Sequence, residues 1–214
     1  MIEVTEKEFY RMLDQLEEDP EWDEEEAEAQ RFDPELNEWH EINMKDARIQ
    51  NRRINQLCFS HCVFENVVFD DFFIYDLYIR DCTFINCYFK NLQIDQAFVE
   101  EDILMDIRDS NFLNCRFEDI TIEAFQMQSD MGGTKFYQTK FEKIYFGIDI
   151  ALAACSLKEC ELERAEIIVN EIFDNLFEKM IIKDSKIQAQ FSDNIIKNTE
   201  MIESVLDIVH FSKY

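Results

Sequence analysis

Glycine and proline are scarce in this 214-residue chain, at three and two residues. That excludes collagen-like chains and most loop-rich folds. Basic residues are scarce as well: 21 Lys and Arg stand against 47 Asp and Glu, for a net charge of −26. Phosphate backbones and anionic membranes repel such a chain, so direct binding to nucleic acid or membrane is not expected. No apolar run approaches the ~20 residues of a membrane span. The opening MIEVTEKEFY lacks the basic start and apolar stretch of a signal peptide. Seven cysteines, an odd number, make no disulfide framework. A reducing, cytoplasmic location is the expectation.

What the chain does have is hydrophobic mass, 47% of its residues with 20 Phe among them, enough to fill a sizeable core and to exclude wholesale disorder. Its charge falls in two zones. Residues 1–40 hold 16 acids and three bases, Lys7, Arg11 and Arg31; they carry −13, as much as the other 174 residues together. This N-terminal zone reads as helical. Thr5 and Glu8 form a capping box, with Val4 and Phe9 as its hydrophobic staple. Phe9, Met12, Leu13 and Leu16 share one helical face. Pro20 ends this helix or opens the next, with Asp19 as its N-cap. The run Asp23–Glu28 is either a solvated face or linker or an acidic lure for a basic partner. Phe32, Leu36 and Trp39 are suited to pin the segment to the body.

From residue 42 the apolar period is five. Ile49, Ile54, Phe59, Phe64, Phe69, Ile74, Ile79, Phe84, Phe89, Ile94 and Val99 recur at every fifth position, with a smaller residue often two places before each, as at Ala47, Cys62, Val67, Cys82 and Cys87. The register slips between 100 and 107, resumes from Ile107 to Met127, breaks at Ser129–Gly133, then runs from Phe136 to Phe211 with one insertion and one deletion. A helix cannot use a period of five, because five residues advance about 500°. A plain strand cannot either, since an odd period alternates faces. A chain that turns a corner every five residues can. Four sides close a square coil of about 20 residues, and coils stacked at ~4.8 Å pair their backbones from layer to layer. Residues 20 apart then stack: Phe64 on Phe84, Phe69 on Phe89, Ile74 on Ile94, Cys62 on Cys82.

Units such as Ala47-Arg48-Ile49-Gln50-Asn51, Cys62-Val63-Phe64-Glu65-Asn66 and Cys87-Tyr88-Phe89-Lys90-Asn91 resemble the pentapeptide-repeat family, with its loose consensus A(D/N)LXX. The resemblance implies an all-β solenoid, a right-handed quadrilateral β-helix, here of about eight coils over residues 41–214 behind a short α-helical cap in residues 1–40. The chain departs from the consensus in two ways. The position before the centre is often apolar, as at Val63, Val68, Phe73, Tyr78 and Tyr88. The last position is Asn66, Asp71, Asp76, Asp81, Asn86 or Asn91 instead of Gly, and these are the best non-glycine choices for a corner with positive φ.

A side-chain-filled rod offers no cleft and no room for substrate, so no catalytic residue, cofactor site or metal site is assigned, and a non-enzyme is expected. Six cysteines, Cys62, Cys82, Cys87, Cys115, Cys155 and Cys160, occupy the small inward slot; Cys58 is one position off. Their spacing is the repeat length, so they read as small core residues. His40, His61 and His210 have no partner at a meaningful spacing. Gly132-Gly133 is no phosphate loop and reads as a break that releases a short loop.

Two surfaces remain for partners. Phe73, Tyr75, Tyr78, Tyr88 and Phe98 point outward, with Tyr78 and Phe98 in one column. They are a candidate protein-binding patch, covered by the N-terminal segment or by another protein. The C-terminal coil has no cap comparable to residues 1–40, which leaves Leu206, Val209, Phe211 and Tyr214 as a candidate edge for a homodimer. A terminal turn folding back is the alternative. The function expected is a non-enzymatic protein–protein interaction module, an acidic rod whose partner the sequence does not name. The family resemblance adds a second reading, a DNA-mimicking inhibitor or protector of DNA gyrase or topoisomerase IV that dimerises through its C-terminal end. Against it, −13 over a rod of roughly 40 Å is about one charge per 3 Å, near half the density of duplex DNA at one per ~1.7 Å.

Overall fold

The computed structural model describes residues 1–17, 32–33, 38–95, 103–123, 128–146 and 150–208. Over them the chain winds into a parallel β-solenoid of about seven turns, close to the eight expected, with one helix, α1 (Glu6–Glu17). One pentad forms each side and four sides make a coil, the architecture that the resemblance implied.

Each side contributes its central residue to one of four inward columns. The first runs Trp39, Phe59, Ile79, Ile107, Met131, Leu152, Ile172, Phe191. The second runs Met44, Phe64, Phe84, Phe112, Phe136, Leu157, Phe177, Ile196. Ile49, Phe69, Phe89, Phe117, Phe141, Leu162, Ile182 and Met201 make the third. The fourth holds Ile54, Ile74, Ile94, Ile122, Phe146, Ile167, Ile187 and Leu206.

The expected stacks form. Phe64 lies on Phe84 at 4.9 Å and 8°, and Phe69 on Phe89 at 5.0 Å and 7°. Ile74 is in register with Ile94, and the Cys62 N–H donates to Cys82 Sγ at 3.4 Å. The ring separation is the strand spacing itself, so a Phe repeated in one column stacks without any adjustment. Rings in the second and third columns meet edge-on across the corner, as Phe84 does with Phe89 at 5.4 Å and 66°.

The corners turn through residues with positive φ. Asn66 (56°), Asp71 (60°), Asp81 (51°), Asn86 (54°) and Asn91 (51°) do so as expected; the Asp76 side chain lies outside those described. On the corner between the second and third sides, amides add a ladder of their own. Asn66 Nδ2 donates to Asp46 (2.8 Å), Asn86 to Asn66 (3.1 Å) and Asn114 to Asn86 (2.7 Å).

The sequence reading misplaced the register breaks. Ile103–Arg108 and Gln128–Gly132 are strands, each paired on both sides. Met131, not Met127, is the central residue, and Met127 lies outside the described residues. Neither is Gly132-Gly133 a loop exit: Gly132 ends a strand, and Gly133 turns a corner at φ 62°. Stacked neighbours stand 20 residues apart in regular coils, but 28, 24, 21 and 19 apart elsewhere. All four departures fall at the corner between the fourth and first sides: between Ile94 and Ile107, Ile122 and Met131, Phe146 and Leu152, and Ile187 and Phe191.

The N-terminal zone is not all helix. Ile2–Val4 pairs parallel with Ile42–Met44 and extends the second ladder forward, while Glu38–His40 pairs with Cys58–Ser60 and already belongs to the solenoid. The helix begins where expected. Thr5 N–H donates to Glu8 Oε2 at 2.8 Å, and Glu8 N–H returns to Thr5 Oγ1 at 3.3 Å. Phe9, Met12 and Leu13 are buried. Pro20, the run Asp23–Glu28 and Leu36 lie outside the described residues. No described helix is long and apolar enough to cross a membrane.

Candidate interaction surfaces

The inward slot explains the cysteines. Cys62 Sγ donates to the Ser60 carbonyl at 3.1 Å, Cys82 Sγ to Arg80 at 3.2 Å and Cys160 Sγ to Lys158 at 3.4 Å. In other coils a hydroxyl donates from the same slot to the same carbonyl two residues back, as Ser110 does to Arg108 (2.8 Å) and Ser185 to Lys183 (2.7 Å). The slot therefore selects small donors. All seven thiols are buried and none is in a disulfide. Burial pushes Cys155 and Cys160 up to about 11 and Cys82 higher still, while a hydrogen bond with Cys87 and then burial do the same to Cys115. No group of three or more potential metal ligands occurs among the described residues.

The outward aromatics do not make one patch. Phe73 flanks the fourth column, Tyr78 the first and Tyr88 the third, so they look out from three sides of the rod. Tyr78 has Asp106 as its ladder neighbour; Phe98 and the Tyr75 side chain lie outside the described residues. Each remaining ring has company. Arg53 lies 4.9 Å from the Phe73 ring and Arg116 5.3 Å from the Tyr88 ring. The Tyr88 hydroxyl donates to Glu118, and burial with that carboxylate pushes the phenol up to about 12.

The third side carries the densest charge. Glu142, 9% exposed, lies among Arg116 (2.9 Å), Lys140 (3.5 Å) and Arg164. Lys140 also holds Glu163 at 2.8 Å, and Lys183 approaches Glu163 at 3.8 Å. The hydrogen bond from Lys140 holds the Glu163 carboxyl below the usual range. These acids are balanced within the rod.

The two ends contrast most. At the N-terminal end, Phe9 covers Trp39 and Phe59 at 6.0 and 5.9 Å, and both Phe9 and Trp39 are 0% exposed. The edge of the first third-side strand is capped by side chains of α1. Glu6 accepts from Arg48 N–H (2.8 Å), and the Tyr10 hydroxyl donates to the Arg48 carbonyl (3.2 Å) while accepting from Gln50 N–H (2.9 Å). At the C-terminal end the last strands are Ile195–Lys197, Glu200–Ile202 and Val205–Ile208, and no described strand follows them. Ile196 and Met201, inward residues by their register, are 54% and 43% exposed; Ile195, Ile202, Val205 and Ile208 are exposed beside them. Of the expected edge residues Leu206 is half-buried here, while Val209, Phe211 and Tyr214 lie outside the described residues. Sequence reasoning missed the other six. The signal was present, because the columns place 196 and 201 in the last described coil.

The interior is not filled throughout. A cavity of about 160 Å³ lies among the C-terminal coils, lined by Leu157, Leu162, Ile167, Phe177, Ile182 and neighbouring apolar side chains. The aromatic coils enclose only about 60 Å³. Where Leu157 and Leu162 follow Phe136 and Phe141 in their columns, the rings stop and the space they would occupy stays empty.

No family model and no curated protein matches the chain. Among solved structures it is similar to QnrB1, a plasmid-mediated fluoroquinolone resistance protein, with 11% identity over 79% of this chain and 84% of that one and a TM-score of 0.31. It is also similar to HetL, a pentapeptide repeat protein involved in heterocyst differentiation regulation in the cyanobacterium Nostoc sp. strain PCC 7120, with 10% identity, coverage of 92% and 94%, and a TM-score of 0.26. The A-module of the mannuronan C-5 epimerase AlgE4 of Azotobacter vinelandii gives 11% identity, coverage of 79% and 56%, and a TM-score of 0.30. At such scores the likeness adds nothing to what the chain's own ladders establish.

Proposed function

We propose that this solenoid is a non-enzymatic protein–protein interaction module whose principal contact is its C-terminal end, and that the occupant of that end is a second copy. The observation that carries the reading is the asymmetry of the ends among the described residues: one has its apolar residues covered and its strand edge capped, the other presents six large exposed apolar side chains on strands that no later described strand pairs. A two-fold axis at the open end sets the same residues against themselves and pairs the free edges. Each newly buried side chain contributes on the order of 1 kcal/mol.

Sedimentation of the full chain at two concentrations tests this. The expected result is a dimer that tightens with added salt, because −26 charges on each chain oppose association and salt screens them. Ile196→Asp or Met201→Lys converts it to a monomer. A chain that remains monomeric at the highest soluble concentration in high salt overturns the reading.

The duplex-mimic reading draws on the overall acidity, but the rod's third side balances its carboxylates with Arg116, Lys140 and Arg164. A gyrase supercoiling assay with and without fluoroquinolone separates the two; no effect at excess over enzyme removes the mimic.

A further inference from the structure

We propose that the interior of the C-terminal coils is a binding site for one small, uncharged, apolar molecule about the size of benzene. The site lies inside the rod, and only its mouth adjoins the end that the proposed dimer covers. Its floor is the last pair of stacked rings, Phe136 and Phe141, which meet edge-on at 5.3 Å. Beyond them, Leu157 and Leu162 continue the second and third columns without rings. Phe177 brings one ring back, but its column neighbours are the aliphatic Leu157 and Ile196, not rings. The opposing Ile167 and Ile182 are too short to close the gap, and about 160 Å³ is left along the axis.

That space has the character of a ligand site. A water molecule needs two to four polar partners, and apolar cavities of ~150 Å³ stay dry and take up benzene or xenon. The polar side chains in the wall already donate elsewhere: the Thr199 hydroxyl to the Lys197 carbonyl at 3.4 Å, and Cys155 Sγ to the Ala153 carbonyl at 3.4 Å. Among the described residues no Asp, Glu, Lys, Arg or His lines the wall. A charged or strongly hydrogen-bonding molecule would lose its hydration and recover nothing, so the ligand class is an arene or a short alkyl group. Ile196 and Met201, half-exposed in the final coil, form the mouth.

The test uses xenon and benzene with the full chain. Xenon NMR is expected to show a protein-bound shift, and benzene at tenfold over its dissociation constant is expected to raise the melting temperature by about 3–6 °C. Leu157→Phe with Leu162→Phe extends both ring stacks into the cavity and should abolish both responses while the β-sheet circular dichroism is retained. Ile182→Phe fills the space from one column only and serves if the double variant does not fold. Absence of both responses in the natural chain overturns the proposal, as does their persistence in a folded, filled variant. Responses that emerge only after residues 209–214 are deleted also overturn it, because the chain would then fill its own cavity.

Discussion

The coils from Phe64 to Phe141 and those from Leu157 to Leu206 share pitch, corners and ladders, yet differ in what fills them. In the first set, rings stack face to face along two columns and edge to face across the corner between them. In the second, mostly aliphatic side chains, with the unstacked ring of Phe177 among them, surround a void. The ladder holds in both, so backbone pairing and corner geometry suffice to wind the coil. Ring packing decides how solid the coil is. The same gradient runs from the capped end to the open one.

The comparison breaks most readily at Phe84, which lies between Phe64 and Phe112 and is 1% exposed. Phe84→Ala should cost about 3–5 kcal/mol in urea denaturation, and Ile182→Ala in the aliphatic coils about 2–3. Equal losses would mean that the rings contribute nothing beyond bulk. Gly133 stands at the corner leading into the last coil of rings. A Cβ added there would come within 2.3 Å of Asp109 Oδ1 on a backbone at φ 62°. Gly133→Ala should cost about 1–2 kcal/mol, part of it recovered by adding Asp109→Ala. Tyr10→Phe removes the hydroxyl that serves Arg48 and Gln50, and should cost about 1 kcal/mol. Its signature is local: amide exchange should quicken in Arg48–Gln50 and leave Glu200–Ile202 unchanged.

The smallest effect concerns Glu163. Its carboxyl is held low by Lys140, so its contribution is present above the unfolded carboxylate pKa and is lost as the pH falls through the folded value. The gap in urea midpoint between the natural chain and Glu163→Gln should therefore be open at neutral pH and close in acid. An unchanged gap would show that the pair acts through packing alone.

Much of this fold can be counted directly from the residues. A five-residue period excludes helix and flat strand, and Phe at intervals of 20 locates the stacked rings. What escaped the count has physical causes. Ile2–Val4 is too short to show alternation, and its partner lies 40 residues away. Gln128–Gly132 is mostly polar and glycine in sequence and so looked like a loop, although Met131 is in register with Ile107. Phe73, Tyr78 and Tyr88 are half-buried, and which of four sides each flanks depends on its position modulo 20, which separates them. Ile196 and Met201 are indistinguishable in type from buried members of the same columns. They differ only in having no described coil above them, which is a property of the assembly and not of the residue. Empty space likewise depends on what faces a Leu across the axis, which a one-dimensional pattern does not contain.

Every change in coil length is absorbed at a single edge of the rod, between the fourth and first sides. Pitch and content are thereby decoupled. Eight added residues before Ile107 and one removed before Phe191 leave the next layer equally well seated. That edge is a place where the chain accepts foreign sequence at little mechanical cost, whereas the other three corners keep one length throughout the described coils.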